Sequence, residues 1–211
     1  MWVAATAGSL VDRLARFHQR RRNERVMAYT RFDKFVARQR FRVALPHLRP
    51  RSRICDIGCG LDAAFLVYAS SHIAWGVGLD YQLKACPEGT CSVIRADITD
   101  TLPLRDSYFD HVVMLAVLEH LREPEPLLHE VFRILRPEGS FVLTWPQVFI
   151  DPFLGLLFRA GIVSSEMESQ GHQPRIRLKT LHGILSRIGF RSLSHRKFEL
   201  GLNNLLVAFK S

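Results

Sequence analysis

From residue 53 onward two hydrophobic periods alternate along the chain, and this alternation limits its possible folds more than any other feature. SRICDIGC, IAWGVGLDYQ, CSVIRADI and SFVLTWPQ are short apolar runs of strand length, and YFDHVVMLAVLEHL reads as a strand leading into a helix. Between them, LDAAFLVYASS, PEPLLHEVFRILRPEG and LKTLHGILSRIGF repeat apolar residues at helical intervals. The second of these is expected to stop at Pro137 and Gly139, the third at Gly189. FRSLSHRKFELGLNNLLVAFK reads as two closing strands. Strands alternating with helices build a parallel, doubly wound sheet, and such sheets bind ligands beyond the carboxyl ends of their strands.

A chain of 211 residues with 47% hydrophobic content suits one globular domain with a sizeable core. No run approaches the roughly 18 uncharged apolar residues of a membrane span, and VFIDPFLGLLF is interrupted by Asp151 and Pro152. The N-terminus is apolar before it is basic, the reverse of a secretory signal, so the expected location is the cytoplasm. Cys55, Cys59, Cys86 and Cys91 are too few for a disulfide scaffold and are expected as thiols. Neither Cys55 with Cys59 nor Cys86 with Cys91 has the two-residue spacing of a zinc knuckle, so no metal is expected.

Charge is concentrated at one end. Residues 1–53 hold 14 Arg and Lys against 3 Asp and Glu, a balance of +11, and the remainder carries −2. Within this segment Leu14, Phe17, Val26, Met27, Phe32, Phe35, Val36, Phe41 and Leu45 recur at mostly helical intervals with arginines between them. Two amphipathic helices are expected, forming a basic extension over residues 1–50 ahead of a domain over 51–211. Such a face is either a solvated cover over the core or a contact for an anionic membrane surface or polyanion. No nucleic-acid-binding module accompanies it, which disfavours nucleic acid as a partner.

The glycines of DIGCG (56–60) follow the first strand and open the first helix, where unpaired backbone amides favour a polar ligand group. Gly58, Gly60 and Ala63 satisfy G-x-G-x-x-G/A, a pattern shared by many nucleotide sites. Three acids narrow the ligand. Asp80 ends the second strand, 20 residues after Gly60, where a carboxylate can accept both ribose hydroxyls. Asp97 follows the third strand in RADI, suited to an adenine amino group, and Asp56 suits a ligand with a positive group. Adenosine with a cationic amino-acid tail describes S-adenosylmethionine.

DIGCG, GLD (78–80), ADI (96–98), FDHVVMLAVLEHL (109–121), LRPEGSFVLTWP (135–146) and LHGILSRIGF (181–190) together resemble the class I S-adenosylmethionine-dependent methyltransferases, specifically the methyltransferase type 11 group. The resemblance covers residues 53–211. It implies a Rossmann-like three-layer α/β sandwich, with a seven-stranded, mostly parallel sheet whose antiparallel last strand follows the hairpin around Glu199–Asn204. It also implies cofactor contacts from Asp56, from the backbone of Gly58, Cys59 and Gly60, from Asp80 and Tyr81, from Asp97 and Ile98, and from Leu115 and Ala116. The family usually reads DxGxGxG. Here the third glycine is Asp62, which tolerates a left-handed backbone better than most residues.

Methyl transfer from a sulfonium needs mainly an in-line nucleophile at close range, with a general base where the acceptor is a hydroxyl. His120, after the fourth strand, and His172, in ESQGHQPRIRLKTL, are the candidate bases. Segment 147–164, QVFIDPFLGLLFRAGIVS, is an apolar insertion where related enzymes build a substrate lid. Together with the basic N-terminus it points to a small-molecule acceptor of amphiphilic, lipid-linked or glycan type, and to peripheral contact with the inner face of a membrane. Two other classes stay open: a noncatalytic scaffold of the same fold, and an NAD-dependent dehydrogenase, against which Asp56, Asp97 and the closing hairpin speak.

Overall fold

The computed structural model describes residues 30–83, 91–99, 101–147 and 176–211. Residues 30–35 fall in one compact unit, and residues 36–147 with 176–211 fall in a second, which carries the sheet. The first expected N-terminal helix, His172 and nearly all of the apolar insertion lie outside the described residues. Among the described residues no helix is long and apolar enough to cross a membrane.

Seven strands form one sheet in the order β3-β2-β1-β4-β5-β7-β6. They are β1 (Arg53–Ile57), β2 (Trp75–Asp80), β3 (Cys91–Arg95), β4 (Phe109–Leu115), β5 (Leu135–Pro146), β6 (Phe190–Phe198) and β7 (Asn203–Lys210). The first five are parallel, and β7 runs antiparallel to both β5 and β6, as the resemblance implies. Strands β1 and β4 are almost wholly buried, which is why they read as continuous apolar runs rather than alternating ones. The described helices are α1 (Arg31–Ala44), α2 (Ala64–Ala69), α3 (Glu125–Ile134) and α4 (Leu178–Ile188).

The two sheet faces bury separate apolar clusters. Cys55, Ile57, Met114, Phe141 and Leu143 face α3 and α4, which present Leu127, Leu128, Val131, Ile134, Leu181 and Leu185 at helical spacing. Ile54, Val113, Val142, Leu205 and Val207 face the other way, where Ala44 and Phe41 of α1 meet Phe65, Leu66 and Ala69 of α2. Burying each large side chain of this kind contributes roughly 1.5–3 kcal/mol, and the helices depend on it because isolated segments this short are marginal in water.

Three local expectations change. Helix α3 ends at Ile134 rather than at Pro137, because proline disfavours a helical conformation at Arg136 and the fully buried Leu135 pairs with Phe109 of β4. Pro137 and Gly139 therefore lie inside β5, where the register shifts and Glu138 has φ 61°. Lys210 donates to Phe132 O and Leu135 O at 2.7 Å, satisfying carbonyls left open at that helix end. The segment after β4 forms only a short 3₁₀ turn, Leu118–His120. Cys55 and Cys59 are free and buried, but Cys91 is disulfide-bonded rather than a thiol.

Candidate active site

At the carboxyl edge the glycine turn is held from three sides. Gly58 and Cys59 donate their N–H groups to Leu79 O, and Gly60 N–H donates to Asp80 Oδ2 at 2.9 Å. The other Asp80 oxygen, Oδ1, accepts from Gln82 N–H at 2.9 Å. The acid expected at the end of β2 therefore anchors the turn itself. Each carboxylate oxygen keeps further acceptor capacity for hydroxyls.

Gly58 has φ 72° and Gly60 φ 74°, a left-handed backbone that glycine adopts freely. A Cβ at Gly58 would meet Val117 Cγ2 at 2.3 Å, so the residue following Ala116 closes directly on the turn. Ala116 itself has φ 59° and donates its N–H to Thr144 O. The residue in the third-glycine position departs from expectation. Asp62 is exposed and is not left-handed; the positive φ of 48° falls on the next residue, Ala63, at the N-cap of α2. With only six residues behind that cap, α2 contributes little dipole to the site.

Asp56 is 2% exposed, and its Oδ2 has no hydrogen-bond partner in the protein. Burial, reinforced by the nearby Asp80 carboxylate, pushes its carboxyl up to about 8. The Cys59 thiol, mostly buried beside Asp56 and Asp80, is also raised and donates to Gly60 O. Asp97 is exposed, and hydrogen bonds from the Thr99 hydroxyl and N–H to its Oδ1 hold its carboxyl below the usual range. Ile98, Leu115 and Ala116 are half-buried and Tyr81 is exposed.

The structure thus brings Asp56, the Gly58–Gly60 turn and Asp80 into one hydrogen-bonded and electrostatic unit. Residues 55–143 match a family model described as a methyltransferase domain. Over those residues the chain is similar to the class I S-adenosylmethionine-dependent methyltransferases.

The chain is 27% identical over 107 residues to cycloartenol-C-24-methyltransferase 1 of Oryza sativa subsp. japonica, a match covering 46% of this chain and 31% of that one. It is 26% identical over 200 residues to the ubiquinone/menaquinone biosynthesis C-methyltransferase of Vibrio vulnificus, covering 82% of this chain and 76% of that protein. Its fold matches the S-adenosylmethionine-dependent methyltransferase of Mesorhizobium loti at a TM-score of 0.61 and 22% identity, over 81% of this chain and 95% of that one. The chain spans between about a third and just over half of some curated relatives it matches, 31% of the rice protein and 55% of another.

The residues present fit the cofactor of this family, S-adenosylmethionine. A buried carboxyl with one unpartnered oxygen, held neutral by burial while the site is empty, can ionise against a nearby cationic amino group, and side-chain-free backbone at Gly58 and Gly60 suits close approach by a ligand. Of the Glu119–His120 pair the sequence points to His120, yet His120 is exposed at the end of its turn. It is Glu119 that lines a neighbouring cavity of about 510 Å³, together with Leu118, Leu121, Arg177 and Thr180. Only the cue that this turn follows the fourth strand is present in the sequence; which of the two residues turns inward depends on the 3₁₀ geometry.

Proposed function

We propose that the methyltransferase moves a methyl group from S-adenosylmethionine to a small amphiphilic acceptor of lipid-linked or glycan type. The buried carboxyl of Asp56, with its Oδ2 unpartnered, beside the Gly58–Gly60 turn carries the cofactor half of this reading. When bound, the cofactor supplies a methyl group on a positively charged sulfur, already activated toward a nucleophile. The protein's own part is then to bind, orient and exclude water, which accounts for roughly 7–11 kcal/mol of barrier in well-oriented reactions.

In this reading the Asp80 carboxylate receives ribose hydroxyls, Asp97 with Ile98 borders the adenine, and Tyr81, Leu115 and Ala116 flank the nucleoside. Cys59 contributes backbone, because its thiol is raised by burial and is no nucleophile at neutral pH. His120 and His172 remain the candidate bases. The names of two relatives support the acceptor half, since one concerns a sterol and the other quinone biosynthesis. The basic segment 1–50 would bring the enzyme to an anionic membrane surface on the cytoplasmic side. That contact should weaken as salt screens it, and binding to anionic vesicles measured across ionic strength checks it.

Calorimetry with S-adenosylhomocysteine tests the cofactor assignment, and labelled methyl transfer into lipid and glycan extracts tests the acceptor. Asp80→Ala should weaken S-adenosylhomocysteine binding by about 1.5–3 kcal/mol, the scale of a lost charge-assisted contact. Because Asp80 also holds Gly60 N–H, part of that loss is a loosened turn, and circular dichroism should still show a folded protein. Unchanged affinity in the folded variant would remove Asp80 from the site.

A further inference from the structure

On the sheet face that packs against α1, the carboxyl edge carries a second group of polar atoms without partners. Residues two apart along a strand share a face. Thr144 therefore lies on the side of Val142 in β5, and Asn203 on the side of Leu205 and Val207 in β7, all three apolar residues belonging to the cluster that includes Ala44 of α1. Thr144 pairs with Leu205 and Asn203 with Pro146, which makes Thr144 and Asn203 diagonal neighbours. Thr144 is 0% and Asn203 2% exposed, yet the Thr144 hydroxyl and Asn203 Oδ1 have no hydrogen-bond partner.

Two further open atoms adjoin them. Asn203 Nδ2 donates to Glu199 Oε2, which fixes the amide with Oδ1 as its open atom, and Glu199 Oε1 is buried and open as well. The Arg40 guanidinium of α1 acts electrostatically on the Glu199 carboxyl, and its buried Nε is open too. Buried polar atoms are nearly always paired, so four open ones around one hairpin and the neighbouring helix call for an occupant.

What these atoms lack selects the group they fit. Asn203 Oδ1 can only accept, Arg40 Nε can only donate, and the Thr144 hydroxyl can do either. An ammonium has no lone pair to offer Arg40, and a carboxylate or an ether has no hydrogen to offer Asn203. A hydroxyl does both at one atom, and it suits Glu199 Oε1 whether that carboxyl is ionised or not. The cofactor reading runs along Asp97, Asp80 and Asp56 on the β3, β2 and β1 side of the edge, and the strands that follow in the sheet are β4, β5 and β7. There Leu115 of β4 pairs with Thr144, and Phe198 of β6 pairs with Asn203, so a half-buried apolar side chain borders the polar group on each side.

We propose that Thr144, Asn203, Glu199 and Arg40 hold a hydroxyl of the methyl acceptor, with the acceptor's apolar part against Leu115 and Phe198. The inference rests on the methyltransferase reading and narrows the acceptor from an amphiphile in general to one bound through a hydroxyl group.

Three probes with one apolar body separate the possibilities: 4-propylphenol donates and accepts, 4-propylanisole only accepts, and 4-propylbenzylammonium only donates. Each is titrated by calorimetry into the full-length protein with saturating S-adenosylhomocysteine. 4-Propylphenol should bind about tenfold or more tightly than either of the others. Thr144→Val keeps the shape of the side chain and the carbonyl that accepts from Ala116 N–H, and removes only the hydroxyl. Because that hydroxyl is buried without a partner, the variant should keep or raise the Tm of the ligand-free protein. It should weaken 4-propylphenol by about fivefold or more and leave S-adenosylhomocysteine affinity unchanged.

Equal or tighter binding of a comparison probe, no binding of 4-propylphenol, or a Tm lowered by Thr144→Val each overturns the proposal. An unchanged 4-propylphenol affinity in the folded variant overturns it as well and assigns the open atoms to ordered water. Should the variant not fold, the order of the three probes on the unaltered protein decides alone. Failure of the unaltered protein to bind S-adenosylhomocysteine would instead overturn the methyltransferase reading, a separate result from the probe order.

Discussion

Two aspartates on neighbouring strands, Asp56 of β1 and Asp110 of β4, are both buried, and their surroundings are opposite. Asp110 sits at the amino edge of the sheet. Its Oδ1 meets Arg136 Nη1 at 2.5 Å and Arg49 Nη2 at 4.0 Å, and its Oδ2 accepts from Arg53 N–H at 2.6 Å. Beside it His111 is equally engaged: Nε2 accepts from Arg49 N–H at 2.9 Å, so Nδ1 carries the proton toward Ser140 Oγ at 2.6 Å. Asp56 sits toward the carboxyl edge with an oxygen that has no partner and a carboxyl pushed up to about 8. The amino edge is satisfied internally and ties β1, β4 and β5 together, whereas the carboxyl edge leaves polar capacity open where parallel sheets bind ligands.

The strongest test of this contrast is pH. The Asp56 carboxyl titrates near 3.8 when unfolded and near 8 when folded, so the native state holds an extra proton between those values. Stability without ligand should therefore fall as pH rises from about 4 to about 8, by up to several kcal/mol, since each tenfold change in proton affinity is worth roughly 1.36 kcal/mol. Asp56→Asn should remove most of that fall, and urea unfolding of both proteins at pH 5 and pH 8 measures it. A slope that survives in the variant would assign the pH dependence to other groups.

At the opposite edge, Asp110→Ala should lower stability by about 3 kcal/mol, the low end for breaking a buried pair, because the stranded arginines can turn to water. S-Adenosylhomocysteine affinity of the folded variant should not change. A large affinity loss there would mean that the two edges are coupled rather than divided in role.

Gly58→Ala sharpens the comparison on a smaller scale. The added Cβ meets Val117 and must adopt φ 72°, which together should cost about 2 kcal/mol of stability. Because Val117 also closes the cofactor turn, S-adenosylhomocysteine affinity should fall as well, in contrast to Asp110→Ala. Thermal unfolding and calorimetry on the same samples separate the two effects.

Much of this fold was legible in the chain because its determinants are local. Hydrophobic period, the glycines after β1 and the acids at strand ends all sit within a few residues of the structure they specify. The number of strands and the closing antiparallel hairpin followed from the resemblance that these motifs carried. What stayed hidden was set by contacts between distant segments. That Arg49, Arg53 and Arg136 converge on Asp110 needs β1, β4 and β5 in register. That Asp80 holds Gly60 N–H needs β2 beside β1. Strain at Ala63 rather than Asp62, and Glu119 rather than His120 facing the cavity, depend on backbone torsions that no side-chain period records. The sequence alone determined which elements form and where polar groups meet their ends; tertiary packing decided which of those groups are satisfied, since a partner far along the chain exists only once the sheet has aligned it.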